Sequence, residues 1–378
     1  MAYHVEVEDK LKAALQPVWN EVVKQSGASI FHTWEWLRAF EDAAPVKAVP
    51  CHILVYEDER LVGLSPVYQV DWCPMLDDHK LVLVDKPFEY DGPMLLSHTF
   101  YAYYGDIAAL PTKADTVYPL VLHTLEDLAR ERDVLIYGFI NVSERNVSLL
   151  SALRVAGFLT HYVSTTCKLT GCWSSFDDYL KSCCSASWRR RIRRHLAQAE
   201  KSQLCVKVGK GVPNVTVAHR LVLKVFEKWD WPYPDIYPQK YLEAILEWLE
   251  PYLHILTVSS KRGETVGTFW YLDHGETMTA WIAGLDYDFE GSHIVYDYAY
   301  WHCIEYAVRH NLREINMGRG TFRHKAHYGF QFEDLFISLA TVHPDLRRSL
   351  LTWLSDLETF MRHMLEEDLG SESNNREG

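Results

Sequence analysis

Two hairpins about 200 residues apart constrain this chain more than any other feature. The first reads Cys51–Tyr56, a turn at Glu57-Asp58-Glu59-Arg60, then Leu61–Val70. The second reads His254–Ser259, a turn at Lys261-Arg262-Gly263-Glu264, then Thr265–Asp273. Short β-prone runs either side of a polar turn are the hairpin signal. In each return strand a valine is followed by a glycine, Val62-Gly63 and Val266-Gly267. Each hairpin is followed by strand, helix and strand, so the pattern predicts a duplicated α/β unit.

The rest of the chain fills in that plan. Apolar positions at Leu11, Leu15, Val18 and Val22 predict a helix over 6–25. Thr33 is placed as an N-cap and Phe31 as the staple of the next helix, over 31–40. Strands are expected at Leu81–Asp85, Pro93–Leu96, Val134–Phe139 and Phe158–Leu169, and helices at Val117–Arg132 and Asn146–Ala156. In the second half, helices are expected at Trp188–Lys201, with Trp188, Ile192, Leu196 and Ala199 on one face, and at Val217–Trp229 and Lys240–Leu249. Thr277–Ala283, a helix over 292–310 and Leu312–Met317 then lead into a polar segment over 318–330, read as a loop. Pro344–Leu369 reads as a long amphipathic helix, and 370–378 as a disordered tail. The domain boundary is expected near Gly171–Ser175, giving lobes over 1–172 and 173–369.

Composition narrows the function classes. With 48% apolar residues in 378, each half can bury a core. The formal charge of −13 argues against nucleic-acid binding through bulk electrostatics, although Arg189-Arg190-Arg191-Ile192-Arg193-Arg194 is locally basic. The eight cysteines lack metal-ligand or disulfide-framework spacing, and no run is long enough to span a membrane. The expected setting is therefore the reducing cytoplasm, with no metal. Walker, Gly-x-Ser-x-Gly and His-Glu-x-x-His motifs are missing.

Four stretches together resemble the GNAT acyltransferase superfamily, in its FemAB-like, BioF2-like (cellulose-biosynthesis-type) double-domain branch. They are the aromatic helix start Phe31–Phe40, the hairpin Tyr56–Val67 with Val62-Gly63 and Pro66, the basic helix and strand over Ser187–Val208, and Gly284–Phe330. The last holds Gly318-Arg319-Gly320, then Lys325 and the pair Tyr328-Gly329. The resemblance implies fold class α/β (α+β): two GNAT-like lobes, each a mixed, mostly antiparallel sheet flanked by helices, with a cleft between them. It implies transfer of an acyl group to an amine acceptor, a small molecule or a peptide. The donor is a coenzyme A thioester in the wider superfamily and an aminoacyl-tRNA in the FemAB branch. One departure keeps the donor open. The turn that should hold the CoA pyrophosphate reads Tyr287-Asp288-Phe289-Glu290-Gly291-Ser292-His293, with one glycine, no Arg or Gln, and two acids.

Amide formation needs a base, an oxyanion partner and a donor to the leaving group. The family motif points to Lys325 as a cation for phosphate or oxyanion, and to Tyr328 as a proton donor. Base candidates near the helix start are His293, Asp297 and Asp286, with Tyr296 beside them. Arg319, flanked by Gly318 and Gly320, is a donor-binding candidate. Trp231 and Tyr233 are candidates for an aromatic wall, and Arg190 and Arg193 either form a solvated helix face or bind phosphates of a tRNA. The adjacent Cys183 and Cys184 read as structural. A non-catalytic binding protein of the same fold is the competing class.

Overall fold

The computed structural model describes residues 2–71, 90, 92–98, 101–212, 214–229 and 236–370. In chain order the first elements are β1 (Tyr3–Glu8), α1 (Gln16–Ser26), α2 (Trp34–Ala43), β2 (Ala48–Pro50), β3 (His52–Glu57), β4 (Arg60–Ser65) and β5 (Val67–Val70). Then come β6 (Met94–Ser97), β7 (Ala108–Ala109), α3 (Ala114–Glu131), β8 (Ile136–Ser143), α4 (Val147–Val155) and β9 (Leu159–Thr170). The second half supplies α5 (Phe176–Cys183), α6 (Ala186–Lys201), β10 (Cys205–Gly209), α7 (Val215–Lys228), α8 (Gln239–Trp248), β11 (Leu253–Ser259), β12 (Thr265–His274) and β13 (Thr277–Leu285). It closes with α9 (Ser292–Arg309), β14 (Glu314–Asn316), α10 (Phe322–His327), β15 (Gln331–Ala340) and α11 (Pro344–Gly370).

The chain forms two compact units, Met1–Thr165 with Glu333–Gly378, and Thr166–Phe332. This differs from the expected split at 172, because the C-terminal segment joins the first unit. There β15 pairs antiparallel with β8, Leu335 opposite Ser143 and Ala340 opposite Tyr137. α11 joins the same unit through Glu358, 3.0 Å from His161 Nδ1, and Arg362, whose guanidinium lies 4.1 Å from the Tyr162 ring centre.

In the first unit, strands run in the order β1-β3-β4-β7 and β15-β8-β6-β5-β2. The core lies under α3, where Val117, Val121 and Leu125 meet Ile53, Val55 and Val62. In the second unit the order is β10-β11-β12-β13-β14-β9, and the core gathers Leu256, Val258, Val266, Phe269, Val295 and Ile304. Among the described residues each unit holds one parallel pair of three positions, bridged by an 18-residue helix: β6 with β8 across α3, and β13 with β14 across α9. The two Val-Gly pairs serve those helices. A Cβ on Gly63 would sit 2.3 Å from Val117 Cγ1, and one on Gly267 would sit 2.8 Å from Val295 Cγ1. Bare backbone at these strand positions lets each helix settle onto its sheet.

Three expectations are corrected. The residues before α1 form β1 and not the start of a helix; Tyr3-His4-Val5-Glu6-Val7-Glu8 has a period of two and pairs with β3, Val5 opposite Val55. The polar segment over 318–330 contains the one-and-a-half-turn helix α10, and β15 follows it unanticipated. Gly370 ends α11, so the tail expected over 370–378 begins one residue too early; 371–378 lie outside the described residues. The strand expected at Leu81–Asp85, and Trp231 and Tyr233, also lie outside them.

Candidate active site

The second unit concentrates its buried ionisable groups where α6, α9 and α10 meet. α6 starts cleanly because Ser185 caps it, its hydroxyl accepting from Trp188 N at 3.2 Å. Trp188, Ile192, His195 and Ala199 form its buried stripe, spaced three and four apart as one helix face requires. Arg190, Arg191, Arg193 and Arg194 are exposed on the other side. His195 is the polar member of an otherwise apolar face.

That histidine meets Asp297 of α9. His195 Nδ1 lies 2.6 Å from Asp297 Oδ2, and both residues are buried, at 5% and 3% exposure. A carboxylate only accepts, so Nδ1 carries the proton and Nε2 is left as the acceptor. Among the described residues Nε2 has no hydrogen-bond partner, and the side chain keeps 7% of its surface exposed. The His195 ring lies 5.9 Å from that of His293, an exposed residue in the first turn of α9.

The other oxygen of Asp297 faces α10. Tyr328 Oη donates to Oδ1 at 3.2 Å, while accepting from Trp301 Nε1 at 3.0 Å. His324 Nε2 also lies 3.2 Å from Oδ1. Burial raises the Asp297 pKa, but contacts from His324 and His195 outweigh it and hold the carboxyl below its ordinary value. Burial, then the Asp297 charge, pushes the Tyr328 phenol far above its usual range, so it acts here as a neutral donor. Tyr179 Oη donates to the Tyr328 carbonyl at 2.8 Å and fixes the backbone as well.

Lys325 is also buried, at 2% exposure, and its ammonium turns back onto its own loop. It donates to the carbonyls of Gly318 at 3.2 Å and Arg319 at 2.8 Å. Gly318 and Gly320 take left-handed φ values of 66° and 69°, which draw those carbonyls round it. Arg319 and Tyr296 are half-buried; Tyr296 Oη shares a 3.0 Å hydrogen bond with Tyr300 Oη. Arg190 is exposed, and Arg193 lies 3.6 Å from Asp177. The structure thus brings Asp297, Tyr328, His324 and His195 together, sets His293 beside them, and leaves the Arg190–Arg194 face outward. Sequence reasoning missed His195, although a histidine seven residues after Trp188 and three after Ile192 falls on the buried stripe.

A second feature adjoins this cluster. β13 is nine residues long; Thr277–Thr279 pair with β14, and the strand pairs with β12 along its length, slipping register at Trp281. The chain then enters α9 through Gly291, where no side chain caps the helix. The acids of the preceding turn are partly neutralised: Lys224 bonds both Asp286, at 2.6 Å, and Asp288. Two surface depressions, one beside Glu21, Gln25 and Arg60 and one beside Trp173, Phe176 and Arg309, are lined by none of these residues. No metal-holding group of histidine, cysteine and acidic side chains occurs among the described residues. Nor is any helix there long and apolar enough to cross a membrane.

The fold of the chain matches that of solved tandem-GNAT structures. Residues 186–326 match the model of the acetyltransferase (GNAT) domain. Similar solved structures include a tandem GNAT protein from the clavulanic acid biosynthesis pathway, at 11% identity and TM-score 0.55, covering 91% of this chain and 99% of that one. FemX aligns at 10% identity and TM-score 0.63, covering 89% and 97%. L-PGS from Bacillus licheniformis aligns at 10% identity and TM-score 0.57, covering 92% and 98%. At these identities the likeness is one of fold. No curated protein sequence matches the chain.

Proposed function

We propose that the chain is an N-acyltransferase that moves an acyl group from an acyl-CoA-type thioester to an amine. The observation that carries this reading is the parting of β13 from β14 after three pairs, within the segment that matches the acetyltransferase domain. Among the described residues 282–285 have a ladder partner on the β12 side only, and an edge of that kind offers amides and carbonyls to a further strand. An extended donor arm with amide groups can pair with such an edge, as an added strand does. The uncapped N-terminus of the 18-residue α9 follows directly, and a helix N-terminus favours phosphate. Lys224, by holding Asp286 and Asp288, reduces the repulsion that those acids would exert on a phosphate.

The test is incubation of the purified protein with a panel of acyl-CoA thioesters and amines, read by mass spectrometry. The expected result is an N-acylated product with release of one free thiol per product. Failure to bind or consume any thioester would overturn the reading.

The exposed Arg190, Arg191, Arg193 and Arg194 favour a second one, in which the donor is an aminoacyl-tRNA. It requires that RNase abolish transfer, and that R190E with R193E weaken tRNA binding and flatten its salt dependence. Transfer from a thioester in the absence of RNA would exclude it.

A further inference from the structure

We propose that His195 is the general base of the transfer, with Asp297 as its positioning residue; this rests on the acyltransferase reading above. Asp297 Oδ2, 2.6 Å from Nδ1, fixes both the tautomer and the orientation of the ring. That leaves Nε2 as an acceptor with no partner among the described residues, on a side chain otherwise buried. Nε2 is not one of the fully buried side-chain atoms left without a partner; it keeps contact with solvent, where a substrate amine can reach an acceptor whose ring is held from the other side. The His195 ring adjoins His293 in the first turn of α9, the helix that follows the parted strand. Asp297 is itself locked, because Tyr328 Oη and His324 occupy its other oxygen. The charged and titratable groups around the dyad include His324, Tyr328, His293 and Tyr296.

In the step so assigned, the amine nitrogen bonds to the acyl carbon as Nε2 takes its proton. The C–S bond then breaks with its electron pair on sulfur. The imidazolium returns the proton to the thiolate, giving amide and free thiol, with His195 restored to its starting form.

Two measurements separate this assignment from the broader reading. In protein labelled with nitrogen-15 histidine, two-bond proton–nitrogen spectra report each ring tautomer without any turnover, and His195→Gln identifies the signal. The expected result is a proton on Nδ1 and none on Nε2, with loss of that preference in Asp297→Asn. A proton fixed on Nε2 would overturn the assignment even if acyl transfer is observed.

In the transfer assay, His195→Gln should lower kcat by about 10²–10⁴-fold, the usual range for a general base. It should also remove the acid limb of the pH profile and leave KM for the thioester within about threefold. Added imidazole should restore part of the activity of His195→Ala. A folded His195→Gln with near-normal kcat and an unchanged acid limb would make the dyad structural. A wild-type protein that transfers no acyl group, while showing the expected tautomer, would instead bring down the functional reading and this assignment with it.

Discussion

Gly267 in β12 lies so close to Val295 in α9 that a Cβ added to it would sit 2.8 Å from Val295 Cγ1. The first unit repeats the relationship with Gly63 and Val117, where the gap would be 2.3 Å. In both, the glycine sits on the return strand of a hairpin and the valine near the start of the helix bridging a parallel pair. Gly267→Ala should therefore destabilise by about 1–3 kcal/mol, the usual cost of overpacking. Denaturant unfolding gives the midpoint, and Gly267→Ala with Val295→Ala should recover part of the loss. An unchanged midpoint in the single variant would show that α9 shifts freely on its sheet.

Asp297 links stability to acidity. Burial pushes its pKa up, yet the His324 and His195 contacts leave it below the ordinary value of 3.8. A carboxyl with a depressed folded pKa contributes stability that is complete above its unfolded pKa and is lost as pH falls through the folded one. Asp297→Asn should cost about 1–3 kcal/mol near neutral pH, as expected for leaving buried hydrogen-bond partners unsatisfied. The gap from wild type should narrow below the ordinary carboxylate pKa. Denaturant titrations at about pH 7 and about pH 3.5 measure it; a gap that stays constant would show that the carboxyl is not held ionised.

The repeated hairpins and their Val-Gly pairs were legible because period-two strands and polar turns are local signals. The same holds for the cap at Thr33, which accepts from the Trp36 amide of its own first turn. What escaped was set by distant partners. Tyr3–Glu8 becomes a strand only because β3 offers an edge, and the segment from β15 onward joins the first unit through partners far off in sequence, among them β8 and residues 161–162. His195 was hidden for the same reason: its role depends on Asp297, 102 positions away. Tyr328-Gly329, by contrast, carries its own explanation. Gly329 has φ of 83°, and a Cβ on it would meet Cys183 Cβ at 2.8 Å.

The cysteines divide by environment. Cys172 and Cys205 are exposed, whereas Cys51, Cys184 and Cys303 are buried. Burial pushes the Cys51 and Cys184 thiols up to about 11, and raises Cys183 as well. Since the thiolate is the reactive form, iodoacetamide at neutral pH should label Cys172 and Cys205 first. Cys51, Cys184 and Cys303 should react only after unfolding. Peptide mass spectrometry over a time course reads the order, and early labelling of Cys184 would mean that α5 and α6 open readily.

Lys325 was the first choice for a cation facing donor or oxyanion, and its surroundings argue for a different role. Its ammonium donates to the carbonyls of Gly318 and Arg319, within a loop whose left-handed residues include the non-glycine Thr321 at φ 48°. Such a conformation is strained and persists only where the surroundings hold it; Lys325 is the side chain that closes the loop. Lys325→Met keeps the length and removes the donors, leaving the carbonyls to find other partners. It should destabilise by about 1–3 kcal/mol, the cost of leaving buried polar groups unsatisfied. Amide exchange over 318–321 should speed up more than exchange in β12 and β13. If the variant instead kept full stability and loop protection while losing acyl transfer, the ammonium would act on substrate after all, in a conformation other than this one.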